Sequence, residues 1–166
     1  MDCFVRELRG DERDRLESFL YLAIFVPEGE APPPREILNK PELQVYVRDF
    51  GSGPADCCLV AEAGGTGIGA AWARIMDDYG HVDDDTPSLA ISLLPEWRGR
   101  GVGGVLLKRL LEALEADGYS RVSLSVQKAN RAARLYARLG FETVEDRDGE
   151  FIMVRDSRRL SAGNPR

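Results

Sequence analysis

The sequence predicts a single α/β domain built on one mixed, mostly antiparallel sheet that is flanked by about four helices. Its 166 residues are 43% hydrophobic, which suits one sizeable core better than two separate domains. Runs with strand-like alternation also interchange along the chain with runs of helical periodicity. We predict one domain over residues 1–156 and a flexible C-terminal tail over residues 157–166.

Each element is predicted from its periodicity and from the turn residues at its ends. The predicted strands cover residues 3–8, 57–63, 68–76, 86–94, 121–126, 141–145 and 151–155. The predicted helices cover residues 11–25, 41–50, 101–116 and 129–139. The glycines at 64–67 and the Asp148-Gly149 pair favour hairpin turns. The resulting order is β-α-α-β-β-β-α-β-α-β-β.

A glycine-rich turn follows the fourth predicted strand and leads into a leucine-rich helix. Its sequence is Pro95-Glu96-Trp97-Arg98-Gly99-Arg100-Gly101-Val102-Gly103-Gly104. Glycines let backbone N–H groups approach an anion, and a helix N-terminus adds unpaired donors and a partial positive charge. The two arginines can add charge-assisted hydrogen bonds. The turn therefore predicts a site for a phosphate-bearing cofactor.

Two cofactor classes compete for this turn. Gly99, Gly101 and Gly104 satisfy the G-x-G-x-x-G spacing of dinucleotide-binding folds. That fold needs an acidic residue about 20 positions later to hold a ribose hydroxyl. Here the next predicted strand ends in Gln127-Lys128. A nicotinamide or flavin site is therefore disfavoured, although it stays open as an alternative.

The turn closely resembles the acetyl-CoA-binding motif of the GNAT superfamily of N-acetyltransferases, with Arg98, Gly101 and Gly103 at its three fixed positions. Asn130, Tyr136 and the turn at 139–141 match the second signature of that superfamily. The resemblance implies the GNAT fold, in which the fourth and fifth strands splay apart. It also implies an acyltransferase of class EC 2.3.1 that moves acetyl from acetyl-CoA directly to a primary amine in a ternary complex.

The same resemblance implies roles for individual residues. The implied cofactor-binding residues are Leu93, Leu94, Arg98, Gly99, Arg100, Gly101, Val102, Gly103, Gly104, Asn130, Arg131 and Tyr136. A backbone N–H of Leu93 or Leu94 would hydrogen-bond the thioester carbonyl, and the amides of residues 99–104 would hold the pyrophosphate. Tyr136 would donate a proton or a hydrogen bond to the departing thiolate. Packing of Tyr136 on the sheet, and capping of a helix by Asn130, are the plainer alternatives.

The general base is the least defined part of the prediction. Many GNAT relatives place a glutamate on the fourth strand, where this chain offers Ser88 and Ser92. We expect Ser92 to order a water that carries the proton. The fallback bases are Asp85, Glu62, Glu96 and His81. The missing strand carboxylate also leaves open a catalytically silent acyl-CoA-binding or sensory module.

Charge and composition limit the partners. The formal net charge is −6, which argues against nucleic acid or an anionic membrane surface, yet the segment 98–138 carries +6. This segment is where a polyanionic cofactor would bind, and the aspartates of residues 77–85 would favour a cationic amine acceptor. One histidine and three cysteines predict no metal site. Without an apolar span or signal sequence, we expect a cytoplasmic protein; dimers are common among GNAT relatives, but no feature of this chain requires a homodimer.

Overall fold

The computed structural model describes residues 2–162 and contains a seven-stranded sheet in the order β1-β2-β3-β4-β5-β7-β6. The strands are β1 Cys3–Glu7, β2 Cys57–Ala63, β3 Thr66–Arg74, β4 Ser88–Leu93, β5 Arg121–Gln127, β6 Glu142–Arg147 and β7 Glu150–Asp156. The helices are α1 Arg15–Ala23, α2 Pro41–Gln44, α3 Val102–Ala116, α4 Ala132–Arg138 and α5 Ser157–Ala162. Short 3-10 turns occupy Gly10–Glu12, Arg35–Asn39 and Pro95–Trp97. The predicted α/β class and order of elements are confirmed, with five α-helices in place of about four.

Strands β4 and β5 are parallel neighbours and meet only where they begin. The paired residues are Ser88 and Ser123, and the Ser123 N–H donates to the Pro87 carbonyl at 2.9 Å. Beyond this point the two strands diverge, as the resemblance implies. The other neighbouring strands are antiparallel. A doubly wound parallel sheet, which the dinucleotide alternative needs, is therefore excluded.

The two faces of the sheet carry separate apolar layers. On one face, α3 buries a leucine stripe and α4 buries Tyr136, in the same apolar layer as Leu89 and Leu124. On the other face, α1 packs Leu16 and Phe19 against Trp72. Side chains alternate along a strand, so β4 directs Leu89, Ile91 and Leu93 to the α3 face. The same alternation directs Ser88, Ala90 and Ser92 to the α1 face.

The predicted helix over residues 41–50 is wrong in its length. Regular α-helix ends at Gln44, because side chains of β3 take the carbonyls of the following turns. Trp72 Nε1 donates to the Tyr46 carbonyl at 3.1 Å, and Arg74 Nη1 donates to the carbonyls of Val45 and Arg48 at 3.2 and 2.7 Å. These long-range bonds hold a tighter, irregular turn in place of a continued helix.

The first part of the predicted flexible tail is helical where the structure describes it. Residues 157–162 form α5, because Asp156 Oδ1 accepts the Arg158 N–H at 3.0 Å and so caps the helix start. The Ser157 N–H donates to the Ser120 carbonyl at 2.9 Å, which ties the helix to the chain entering β5. Residues 163–166 lie outside the described residues.

Candidate active site

The glycine turn joins the end of β4 to the start of α3. Gly99 and Gly101 have φ values of 72° and 83°, which side chains rarely adopt, so glycine at these two positions is set by the backbone. The helix begins at Val102, and its first intrahelical bond runs from the Val105 N–H to the Gly101 carbonyl at 3.3 Å. The preceding N–H groups of the first turn have no helical acceptor and are free for an anion.

Gly103 and Gly104 require a different explanation. A Cβ on Gly103 would lie 3.6 Å from Leu93 Cδ1, and one on Gly104 would lie 3.8 Å from Leu135 Cδ1, both ordinary contacts. The protein itself therefore has room for alanine, which is the better helix former by about 1 kcal/mol. The fold itself does not require glycine at these two positions, and the open backbone leaves room for an anionic group.

Arginines surround the turn with exposed positive charge. Arg98 Nε donates to the Leu93 carbonyl at 3.1 Å, and the Arg100 guanidinium lies 5.2 Å from the Trp97 ring centroid. Arg131 is exposed at the start of α4. Within residues 2–162, none of these three arginines forms an ion pair with a carboxylate. Their charges remain available to an anionic ligand.

The end of β4 presents one backbone N–H to the gap beside β5. The Leu94 N–H donates to the Ile68 carbonyl of the β3 side at 2.8 Å, so in this geometry it is already occupied. Hydrogen-bonding direction alternates along an antiparallel strand, and Leu93, opposite Gly69, therefore turns its N–H and C=O away from β3. The bond from Arg98 to the Leu93 carbonyl agrees with this direction. Leu93 supplies the free donor.

Tyr136 is 7% exposed and packs edge-on against Phe141, with ring centroids 6.0 Å apart. Burial raises the pKa of its phenol to about 12. Because the pKa of a thiol is about 8.5, proton transfer from Tyr136 to the thiolate is uphill by roughly 3 to 4 pKa units. The resting geometry thus favours hydrogen bonding by a neutral phenol over full proton donation.

Asn130 and Ser92 both make contacts that shape the backbone. Asn130 Oδ1 accepts the Ala132 N–H at 2.9 Å, which is the predicted helix-capping role. Ser92 Oγ is buried and donates to the Phe19 carbonyl of α1 at 2.7 Å. The hydroxyl proton of Ser92 is therefore committed to α1, and its part in proton transfer stays a prediction.

The aspartates of the loop between β3 and β4 each make a different contact. Asp83 pairs with Arg121 at 2.7 Å, and Asp84 lies 3.4 Å from His81 Nε2. The fallback base Asp85 gives its backbone N–H to Asp83 Oδ1 at 2.9 Å. These groups stabilise the loop at the start of β5. That the aspartates of this loop together favour a cationic acceptor stays a prediction.

The other fallback bases lie in unlike surroundings. Glu62 is bound by Arg6 at 2.5 Å on the β1–β2 side of the sheet, and β3 separates its strand from β4. Glu96 is exposed in the turn after β4. Burial raises the pKa of the Cys57 thiol to about 11, so this cysteine is a packing residue and a poor nucleophile.

Sequence reasoning did not single out Asp78, which the fold places beside β4. Asp78 Oδ1 accepts a hydrogen bond from Ser88 Oγ at 2.7 Å. Burial raises the pKa of the Asp78 carboxyl, while hydrogen bonding from the Ser88 and Tyr46 hydroxyls opposes the rise. Its position soon after the end of β3 was the only sequence signal, and it did not distinguish Asp78 from Asp77.

Comparison with known proteins agrees with this geometry. The family model described as "Acetyltransferase (GNAT) family" matches residues 22–141. The chain belongs to the GNAT acetyltransferase family. An acetyltransferase of Pectobacterium atrosepticum is 33% identical over 109 residues, which cover 64% of this chain and 71% of that protein. A mycothiol acetyltransferase of Propionibacterium freudenreichii is 29% identical over 138 residues, or 82% of this chain; the match spans only 42% of that relative.

Solved structures of GNAT proteins share the fold. The PaiA N-acetyltransferase of Thermoplasma acidophilum, solved with coenzyme A, superposes with a TM-score of 0.68 at 19% identity, covering 94% of this chain and 99% of that one. The ribosomal-protein-S18-alanine N-acetyltransferase of Escherichia coli gives a TM-score of 0.64 at 20% identity, covering 93% and 94%. In the described part of this chain, no helix has the length and apolar character needed to cross a membrane.

Proposed function

We propose that this GNAT protein transfers an acetyl group from acetyl-CoA to a primary amine by direct attack in a ternary complex. The observation that carries the proposal is the gap between β4 and β5. The Leu93 N–H is directed into this gap, next to the first turn of α3, whose amides have no helical partner. A thioester donor bound at that place would meet a fixed hydrogen-bond donor. Fixed donors of this kind are usually a large part of acyl-transfer catalysis.

In this proposal the glycine turn holds the cosubstrate. The amides of Gly103 and Gly104 take the pyrophosphate, and Arg98, Arg100 and Arg131 supply charge to its phosphates. The Leu93 carbonyl would exchange its contact with Arg98 for one with the pantetheine chain. Asn130 lies at the start of α4 on the same side and borders this chain.

The Leu93 N–H stabilises the oxygen that becomes negative when the amine attacks. Tyr136, on the α3 face of the sheet, then hydrogen-bonds the departing thiolate. The thiolate becomes the better leaving group because this hydrogen bond lowers its basicity. The phenol itself keeps its proton, and the thiolate takes up the proton that the amide nitrogen releases.

The acceptor would enter from the α1 face, opposite the cosubstrate. Asp78 lies on this face. The pKa of the neighbouring Tyr79 is raised, mainly by burial and to a lesser degree by the negative charges of Glu42 and Glu150. This acidic environment suits a cationic amine. Relatives are named for mycothiol and for the alanine of ribosomal protein bS18, which gives small-molecule and protein amines as the first acceptors to test.

A silent acyl-CoA-binding module is the second candidate, because β4 contains no carboxylate. Calorimetry with acetyl-CoA followed by an assay of CoA release against a panel of primary amines separates the two. Binding together with turnover of at least one amine is the expected result. Binding without turnover of any amine would favour the silent module, and no binding would overturn both.

A further inference from the structure

The carbonyl oxygen of Leu93 lies at the wall of the β4–β5 gap, and a side chain of the protein itself is bonded to it. Arg98 Nε donates to this oxygen at 3.1 Å. Strands β4 and β5 pair at Ser88 and Ser123, and they have already diverged where Leu93 lies. Leu93 therefore turns toward the gap with a carbonyl that already has a hydrogen-bond donor.

The turn after β4 folds Arg98 back onto this carbonyl. The Arg98 N–H donates to the Pro95 carbonyl at 3.2 Å and closes the 3-10 turn Pro95–Trp97, so the chain reverses direction directly after the strand. Arg100 lies elsewhere, with its guanidinium 5.2 Å from the Trp97 ring centroid. The contact with β4 is thus made by one arginine of the turn and not by the other.

Arg98 also lies next to the proposed diphosphate site, because it directly precedes the glycines of residues 99–104. A Cβ on Gly103 would lie 3.6 Å from Leu93 Cδ1, so the start of α3 and the end of β4 are in close contact. In the described part of the chain, Arg98 forms no ion pair with a carboxylate. A phosphate at the turn would give its guanidinium a stronger partner than a neutral carbonyl.

We infer that Arg98 determines specificity by occupying the Leu93 carbonyl until a diphosphate draws its guanidinium away. This inference rests on the proposed function, in which the pantetheine chain pairs with Leu93. Pantetheine alone must break the bond between Arg98 and Leu93 without giving the arginine a new partner. CoA breaks the same bond and replaces it with a charge-assisted contact to phosphate. The site therefore selects thioesters that carry a diphosphate over short acyl thioesters.

The exchange couples the two halves of CoA. When the diphosphate takes Arg98 from the Leu93 carbonyl, it makes pantetheine binding more favourable, and pantetheine must favour the diphosphate by the same factor. An arginine that only attracted phosphate would leave the binding of the uncharged pantetheine unaltered. Coupling between the two halves is the property that separates these two roles.

The first measurement uses the wild-type protein and two fragments of CoA as separate ligands. These are pantetheine and adenosine 3′,5′-bisphosphate, which lacks the phosphate next to pantetheine and so leaves room for both. Calorimetry gives the Kd of pantetheine with and without saturating nucleotide. We expect the nucleotide to lower this Kd about three- to tenfold, the effect of about one hydrogen bond. An unchanged or higher Kd would overturn the inference.

The second measurement removes the arginine. Arg98→Ala should lower the Kd of pantetheine about threefold or more, because the Leu93 carbonyl is then open. It should raise the Kd of CoA at least tenfold, because a phosphate contact is lost. Arg100→Ala is the control with the same change of charge in the same turn, and it should weaken CoA binding alone. Unchanged or weaker pantetheine binding to Arg98→Ala would contradict the inference.

The inference and the proposed function fail in different ways. Arg98 is exposed, so Arg98→Ala should keep the melting temperature of the wild type, and the fragment measurement does not depend on any variant. If CoA binds and an amine is acetylated while the two fragments bind independently, only the role of Arg98 is rejected. If CoA does not bind to the wild type, the proposed function is rejected and this inference with it.

Discussion

Gly69 on β3 lies so close to Leu93 on β4 that a Cβ at Gly69 would be 2.3 Å from Leu93 Cδ2 and 2.7 Å from the Ser92 carbonyl oxygen. A side chain can rotate away, but the Ser92 backbone cannot move without shifting β4. The orientation of the Leu93 N–H therefore depends on a glycine in the neighbouring strand. This link between β3 and the candidate oxyanion donor leads to the first prediction.

Gly69→Ala should push the end of β4 toward the gap and misplace the Leu93 N–H. We expect kcat to fall about 10- to 100-fold and stability to fall by about 1–3 kcal/mol, as for other overpacked sites. Amine acetylation kinetics and urea unfolding measure the two effects. Gly67→Ala is the matched control, because its Cβ would meet Val60 Cγ1 at an ordinary 3.4 Å. Equal kcat for both variants would show that the position of the Leu93 N–H does not affect catalysis.

Gly103→Ala should stabilise the free protein and weaken cosubstrate binding. Alanine has the better helix propensity, which gives about 1 kcal/mol, and its methyl group meets no close contact in the protein. The same methyl would occupy the approach of the pyrophosphate and raise the Kd for CoA at least tenfold. Thermal unfolding and calorimetry report the two effects separately. Gly10→Ala, in open space, should leave the Kd unchanged, and an unchanged Kd for Gly103→Ala would argue against a phosphate at this turn.

Tyr136→Phe should lower kcat about 10- to 100-fold with little change in the Kd for CoA. The apolar ring keeps the packing against Phe141, so the melting temperature should stay close to that of the wild type. Because burial raises the pKa of Tyr136 to about 12, its ionisation should add no limb to the kcat profile below about pH 10. Tyr119→Phe serves as the control. If Tyr136→Phe keeps the wild-type kcat, the Tyr136 hydroxyl takes no part in catalysis and the residue serves only in packing.

The Arg6–Glu12 pair should make the stability of the protein sensitive to acid. Hydrogen bonding from Arg6 Nη2, at 2.6 Å, lowers the pKa of Glu12 from 4.5 to about 2. A lowered folded-state pKa gives stability that is present above about pH 5 and is lost as pH falls toward 2, on the order of 1–2 kcal/mol here. Urea unfolding of Glu12→Gln between pH 5 and pH 2 should show a correspondingly flatter decline. The exposed Glu28→Gln should follow the wild type, and parallel curves for all three proteins would reject the assignment.

The sequence predicted the central part of the molecule well, for a physical reason. The β4–turn–α3 segment is specified locally by glycines that need φ > 0 and by a leucine stripe, so Gly101 and Leu107 could be placed without knowing the fold. Residues 41–50 could not be predicted in the same way, since the turn depends on Trp72 and Arg74 from a distant strand.

The candidate site shows the same division. The donors of the glycine turn follow from local sequence, whereas the choice between Leu93 and Leu94 depends on the register of β3 against β4. Asp78 escaped prediction because its burial is set by a connection that crosses β5 and by Tyr46. Neither relationship leaves a periodic or spaced signal in the sequence.

We propose that acetyl-CoA binds along the β4–β5 gap with its diphosphate at the start of α3. Titration of acetyl-CoA into ¹⁵N-labelled protein tests it most directly through backbone amide shifts. We expect large shifts for the Leu93 N–H and the amides of residues 101–104, and small ones for the Leu94 N–H, which is already bonded to Ile68. Saturable binding that leaves Leu93 and residues 101–104 unshifted would contradict it.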